Sequence, residues 1–460
     1  VIHSFISKVR EVISFDEHFP SSEESVIEST MEKMTTDDHS ESDQTEVYQS
    51  LPTTNEVEDK YARNEIARRA ILGPLSLVIK CLGFDSTYSL FKGETRRTVM
   101  ACFGTTLTVI GIILLIVNIG QKKDEIDGFA TLSWKWAETF LIFFLAINSL
   151  ISGIFLMSRT QSLFFLTYYE AWNECARLSE KEKEGKENGD AEIGRSSSPI
   201  LFTSGRLIKV LLAFFVFIGS TISTSTKYAV YQGNYQAGNE NVTVPLLDKF
   251  HGMEPLLSLW GALLSATALS VYGILHGIID DTIIEFNNDL KTASDSKTLS
   301  TRIDYFSVRH QSILVFARTL SKKMGTFATY SMVTMIVVNF ASMYLSIAQK
   351  EGTGGLGILC FIFWQIIAIS SMVVVLLQAA AIQLKLNKSC EILVADKEIW
   401  IGDLAIAQQA QMMITKRQTT DTTVSILKCL KLTPWIANGM MLIPPIIGGS
   451  FALIKFYFLH

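Results

Sequence analysis

The sequence predicts an all-α polytopic membrane protein of seven transmembrane helices with long cytosolic helical extensions, N-terminus inside and C-terminus outside. Three observations carry this. Apolar residues make up 48% of the 460 and charged residues only 18%, with a mean hydropathy of +0.29, whereas a soluble domain of this size carries more charge. The charges are clustered, which leaves long stretches with none. Lys and Arg are also unevenly shared between alternate connections.

Crossing roughly 30 Å of hydrocarbon at 1.5 Å per residue takes about 20 residues. Seven stretches qualify: Thr98–Gly120, Thr139–Ser158, Val210–Thr226, Pro255–Ile279, Met324–Gln349, Gly352–Leu384 and Leu432–Ile454. All seven lack Asp, Glu, Lys and Arg. A charge at the centre of a span costs roughly 2.5–3.5 kcal/mol on insertion, so an unbroken run of this kind seldom arises by chance. Val210–Thr226 is the shortest, and a buried helix of a soluble core is the competing reading for it alone.

Orientation follows from the basic residues, since cytosolic loops are enriched in Lys and Arg. Setting aside Lys209 at the inner mouth of the third span, residues 1–97 and the second, fourth and sixth connections hold 32 of them, while the first, third and fifth hold 6. The sequon Asn241-Val242-Thr243 falls in the third connection, outside on this topology, and marks Asn241 as the glycosylation site. Its counterpart Asn387-Lys388-Ser389 falls inside. Cys81, Cys175, Cys390 and Cys429 lie on the cytosolic side and Cys102 and Cys360 within spans, so no external disulfide is expected.

Five regions follow in order. Residues 1–60 form an acidic arm, dominated by Ser, Thr, Glu and Asp through Ser21–Asp59 and expected to be disordered, with no cleavable signal peptide. Residues 61–97 are a cytosolic or interfacial pre-membrane segment. Residues 98–384 hold spans one to six. Residues 385–431 are cytosolic anchor helices, and 432–460 the last span with a short external tail.

The connections are themselves helical in pattern. Leu299, Ile303, Phe306, His310, Ile313, Ala317, Leu320 and Met324 recur in steps of three and four, so the helix of the fifth span begins well before the membrane. Ile283, Ile284, Phe286 and Leu290 extend the fourth span in the same way. Beyond the sixth span, Leu393, Ile399, Trp400, Leu404, Met412, Ile426, Leu427 and Leu430 give Cys390–Lys431 an apolar side. Two arrangements fit: amphipathic linkers on the bilayer surface, or a cytosolic helical bundle through which subunits associate.

Catalysis has little footing. The seven histidines are scattered, and HExxH, Cys-x-x-Cys, Walker and GxSxG patterns are missing from the sequence. An enzyme is not expected, nor a metal, a cofactor or a nucleic-acid partner. His276 with Asp280 and Asp281 is the best candidate for a proton relay, but a solvated helix end explains it as well. Mid-span polar residues such as Asn148, Asn339, Gln365, Gln378 and Asn438 are amides, which commonly serve helix–helix hydrogen bonding. A transporter would need ionisable mid-membrane groups or an internal repeat. A G-protein-coupled receptor would need the opposite topology, and Asp-Arg-Tyr and Asn-Pro-x-x-Tyr motifs that do not occur here.

The last span ends Ser450-Phe451-Ala452-Leu453-Ile454-Lys455-Phe456-Tyr457-Phe458. It resembles the loose closing motif of the insect-type gustatory and odorant receptor superfamily, Thr-Tyr, five hydrophobic residues, then Gln-Phe. Ser450 and Phe451 stand for Thr-Tyr, Phe458 for the final Phe, and Tyr457 replaces Gln. Together with the topology and the helical connections, which cover residues 60–460, the chain looks like a gustatory receptor or gustatory receptor-like protein.

That resemblance implies a chemosensory receptor at the plasma membrane, a ligand-gated, non-selective cation channel assembled as a homotetramer or as a heterotetramer with related subunits. The last span of each subunit would line a central pore. By motif position Ile454 would form the hydrophobic gate and Tyr457 the polar ring beside it, with Ile447, Ser450 and Phe451 on the same face. Lys455 and the bulk of Tyr457 depart from the family pattern and put conduction in question. The resemblance also implies a small-molecule pocket in the outer halves of spans two to six, where Trp260, Asn339, Tyr344, Trp364 and Gln365 combine rings with hydrogen-bonding groups. Each of these also fits core packing or an interfacial aromatic belt. A non-channel protein of the same topology, a scaffold or receptor-like relative, is the alternative.

The topology predicts that Asn241→Gln removes any N-linked glycan, read as a mobility shift after glycosidase treatment, and that Asn387 carries none.

Overall fold

The computed structural model describes residues 54–84, 95–128, 134–184, 204–237, 254–348, 355–426, 430–443, 446 and 450. Chain contacts separate Val1–Val57 from Glu58–His460, and nearly all described residues belong to the second unit.

Helix α1 spans Thr54–Leu72 and α2 Pro74–Cys81. The first of these opens inside the stretch expected to be a disordered arm, where Glu56 and Glu58 place negative charge at a helix N-terminus. Proline at the start of α2 removes an N–H that would have lacked a partner anyway. Next come α3 (Thr95–Gly128), α4 (Trp134–Gln161), α5 (Phe164–Glu184), α6 (Ser204–Ala237), α7 (Glu254–Asp295), α8 (Ile303–Ala348) and α9 (Gly355–Met372). A π-helical turn, Val373–Leu377, joins α9 to α10 (Gln378–Ala395), and the short α11 (Lys397–Ile401) leads to α12 (Leu404–Thr419). A two-residue antiparallel ladder, Ser425–Ile426 (β1) with Leu430–Lys431 (β2), precedes α13 (Pro434–Ile443).

Among the described residues, five helical segments are long and apolar enough to cross a membrane: Thr106–Gly128, Trp136–Thr160, Pro255–Asp295, Ser300–Leu345 and Leu359–Ala395. They contain or overlap five of the seven expected spans. The third expected span lies within α6, whose apolar stretch is Leu207–Ile222. Of the last, the described apolar helix is Pro434–Ile443. Helices α7 and α8 do run on past the apolar stretches, from Ile279 to Asp295 and back from Met324 to Ile303.

The core centres on α7. Leu264, Ala266, Ala268, Val271, Tyr272, Leu275, Ile279, Ile283 and Phe286 are all at most 1% exposed, so this helix is enclosed by protein along most of its length. Each large apolar side chain so buried contributes roughly 1.5–3 kcal/mol where water is the alternative. Neighbouring α4, α6, α8 and α10 pack around it.

At the end formed by the second half of α7 and the first half of α8, polar contacts tie the helices together. Arg309, 1% exposed, places Nη1 2.5 Å from Asp289 Oδ2 and stacks its guanidinium on Phe286 at 5.6 Å. Lys385 on α10 meets Asp280 on α7 at 2.5 Å, and Asn287 donates to the Lys385 carbonyl at 2.8 Å. Arg417 on α12 donates to Gln383 on α10, whose amide nitrogen donates to Thr422 Oγ1 at 2.9 Å. Burial pulls the Arg417 guanidinium below its ordinary value. The apolar side expected after the sixth span divides in two. Leu393 and Ile399 are fully buried within the chain, while Trp400, Leu404 and Met412 are exposed by 38%, 72% and 49%.

Asn64 on α1 clasps the α4–α5 turn, donating to the Ser162 carbonyl at 3.2 Å and accepting from the Leu166 amide at 2.8 Å. Behind that turn Cys175 is fully buried, and burial pushes its thiol up to about 12, with Arg309 offsetting part of the rise. Almost none of it is thiolate at neutral pH. Maleimide at pH 7.5 should therefore modify the exposed Cys81 of folded protein and leave Cys175 untouched until denaturant is added, as peptide mapping by mass spectrometry would read.

Candidate functional site

Five helices converge on a cavity of about 70 Å³ at the end of the bundle opposite the Arg309 and Lys385 contacts. Helix α3 contributes Leu115 and Asn118, and α4 contributes Ile142, Leu145, Ala146 and Ser149. From α6 come Phe217, Ser220, Thr221 and Thr224, from α7 Leu257, Ser258, Ala262 and Ser265, and from α9 Trp364 and Ile367. Among the described residues, the lining contains no Asp, Glu, Lys, Arg or His.

Helical spacing explains the hydroxyl stripe on α6. Ser220, Thr221 and Thr224 fall on one face at steps of one, three and four. Thr221 Oγ1 donates to the Phe217 carbonyl at 3.1 Å and Thr224 Oγ1 to the Ser220 carbonyl at 2.8 Å. Donation to the carbonyl four residues back lets these hydroxyls sit in an apolar setting. Their lone pairs remain available.

A polar clasp lies at the inner wall. Asn148 on α4 donates to Ser265 Oγ on α7 at 3.2 Å, while its Oδ1 accepts from Thr334 Oγ1 on α8 at 3.2 Å. Ser149 and Ser265 are 3.3 Å apart through their hydroxyl oxygens, and Ser149 also donates to the Leu145 carbonyl at 3.0 Å. One amide thus joins three helices. Gly261 permits the approach, because a Cβ there would stand 2.8 Å from Ser149 Oγ.

Of the five residues read from sequence as pocket candidates, Trp364 lines the cavity and is 1% exposed. Trp260 turns instead onto α3, where a Cβ on Gly111 would lie 2.5 Å from its ring. Asn339 is buried on α8 with its Oδ1 unpaired among the described residues. Tyr344 is half-buried on α8 against the core, and Gln365 is half-buried outside the cavity lining. Sequence reasoning missed Asn118, Ser149, Ser220, Thr221 and Ser265. The serine and threonine run from Ser220 to Thr226 was the available signal.

Among the expected gate residues, Ser450 is helical and exposed, its hydroxyl donating to the Ile446 carbonyl at 2.8 Å. Ile447, Phe451, Ile454 and Tyr457, and the glycosylation residue Asn241, lie outside the described residues. No group of three His, Cys, Asp or Glu among the described residues has metal-holding geometry.

Residues 71–448 match the family described as Caenorhabditis protein of unknown function, DUF267, and the chain belongs to that family. No curated protein matches the sequence. Among solved structures, the insect olfactory receptor OR5 from Machilis hrabei in complex with eugenol is similar with a TM-score of 0.57 at 11% identity, covering 85% of this chain and 100% of that one. A second structure of the same receptor gives a TM-score of 0.53 at 10% identity, covering 84% of this chain and 99% of that one. At such identity the likeness is one of fold.

The clasp predicts unequal costs. Asn148→Ala should lower stability by about 1–2 kcal/mol, because it strips partners from two other helices. Thr334→Val should cost less, since that hydroxyl also reaches the Tyr330 and Ser331 carbonyls at 3.0 and 2.9 Å. Thermal unfolding in detergent compares the two.

Proposed function

We propose that this member of the Caenorhabditis family is a chemosensory receptor that acts as a ligand-gated, non-selective cation channel, opened by a small tastant-like molecule bound in the cavity. The observation that carries the reading is a partly open, partly polar cavity between five helices, with no charged side chain among its described lining residues, in a chain with an olfactory-receptor fold. A receptor of that fold was solved in complex with eugenol.

On this reading the chain crosses the plasma membrane seven times, with α6 supplying the third span and α13 beginning the seventh. The distribution of 32 basic residues against 6 supports an internal N-terminus. Residues 1–60 serve as the acidic arm, 61–97 as the pre-membrane segment and 98–384 as the first six spans. Residues 385–431 are the anchor and 432–460 the pore helix and tail. Exposed Trp400, Ile401, Leu404, Met412 and Trp435 support contact between subunits, because five large apolar side chains in one region favour burial against a partner. Four copies around an axis would put Ile454 at the constriction, with Ile447, Ser450, Phe451 and Tyr457 on the same face. Trp260, Asn339, Tyr344 and Gln365 then act as supporting positions around Trp364. Lys455 and Tyr457 favour, as a second reading, a relative of the same fold that does not conduct.

Ile454→Ser should wet the constriction and give a standing leak without ligand. Leu453→Ser, about 100° round the helix, should alter expression more than conductance. Whole-cell recording with surface labelling decides: a surface-expressed Ile454→Ser without leak or changed permeation, beside a leaking Leu453→Ser, would refute the assigned pore face.

A further inference from the structure

We infer that the cavity selects small uncharged molecules carrying a hydroxyl group, and turns away carboxylates and amines of the same size. This deepens the ligand-gated reading for what binding does, although occupancy can be measured without any current.

Charge is excluded by the walls. With no ionisable side chain among the described lining residues, a carboxylate or ammonium would leave water without gaining a counter-ion, at a cost of several kcal/mol. A purely apolar guest is disfavoured too. Asn118 and Ser220 line the cavity at 9% and 5% exposure, and neither side chain hydrogen-bonds to another described residue. An apolar guest would strand both polar groups, whereas a hydroxyl can accept from the Asn118 amide and donate to an oxygen.

The donors of Thr221 and Thr224 are already committed to backbone carbonyls, so those side chains offer lone pairs only. A guest hydroxyl can donate to one of those lone pairs while accepting from Asn118 or Ser220, whereas a ketone can only accept. Size is bounded as well. A water needs roughly 10–15 Å³ of such volume, so about 70 Å³ admits a guest of roughly five heavy atoms before any ring moves. Trp364 and Phe217 supply the apolar faces against which its carbon skeleton rests.

The test uses the full chain in lipid nanodiscs and saturation-transfer NMR with propane-1,2-diol, lactate and 1-amino-2-propanol, three probes of nearly equal size. The diol should give a saturable signal, and the two charged probes should bind at least tenfold more weakly. Asn118→Leu, close to isosteric, should weaken the diol about tenfold and Ser220→Ala about threefold. Ser220→Ala decides alone if the first variant does not fold. Equal binding of lactate or the amine, or diol binding unchanged in the folded variants, overturns the inference.

Recording from cells with the same probes separates it from the channel reading. A diol that binds through Asn118 yet changes no current sinks the channel and leaves the site. Lactate-gated current without diol binding sinks the site's selectivity and leaves the channel.

Discussion

Close approach to helix α7 is the constraint on which the rest of the structure depends. In a bilayer, lipid tails are as apolar as leucine, so helices gain little by hiding greasy surface from them. What favours association there is dense packing of small residues and hydrogen bonds that hydrocarbon cannot supply. Helix α7 offers both, with Gly261, Ala262, Ser265, Ala266, Ala268 and Ser270 along one stretch. At Gly261 it admits Ser149 of α4, and four residues on Ser265 accepts from Asn148. The same small side chains that let α4 and α8 close in leave too little bulk to fill the space towards α3 and α6. The clasp and the cavity therefore share one origin.

The existence and order of the long helices were legible in the sequence because insertion cost is a per-residue quantity. A charge inside a span is expensive wherever it points, so its absence marks the span without knowledge of packing. Which way a side chain faces was harder. Helix α7 is enclosed by protein along most of its length, and a helix buried on all sides loses the apolar stripe that would reveal its orientation. Depth could be judged for Trp260 and Trp364 alike, yet one lies on Gly111 and the other on the cavity. Asn118 and Ser220 are separated by 102 positions and gain meaning only when α3 and α6 are brought side by side.

The junction of α9 and α10 shows a second reason why faces are hard to read. Sequence suggests one uninterrupted helix over this region, and hydropathy does not change across it. The π-helical turn Val373–Leu377 inserts an extra residue per turn, rotating all that follows by about 100° relative to a continuous α-helix. Such a turn loosens the regular carbonyl pairing, and Tyr272 OH from α7 donates to the Val375 carbonyl at 3.1 Å. Without that rotation, α10 would present a different face to its neighbours. With it, Gln383 meets Arg417 of α12 and Lys385 meets Asp280 of α7. The helix that carries Trp364 at the cavity therefore carries, beyond one turn of altered geometry, the polar side chains that hold the far end of the bundle together. Movement of α9 at the cavity would bear directly on the Tyr272 contact, because Ile367 in the lining and Val375 are eight residues apart along one continuous run of helix.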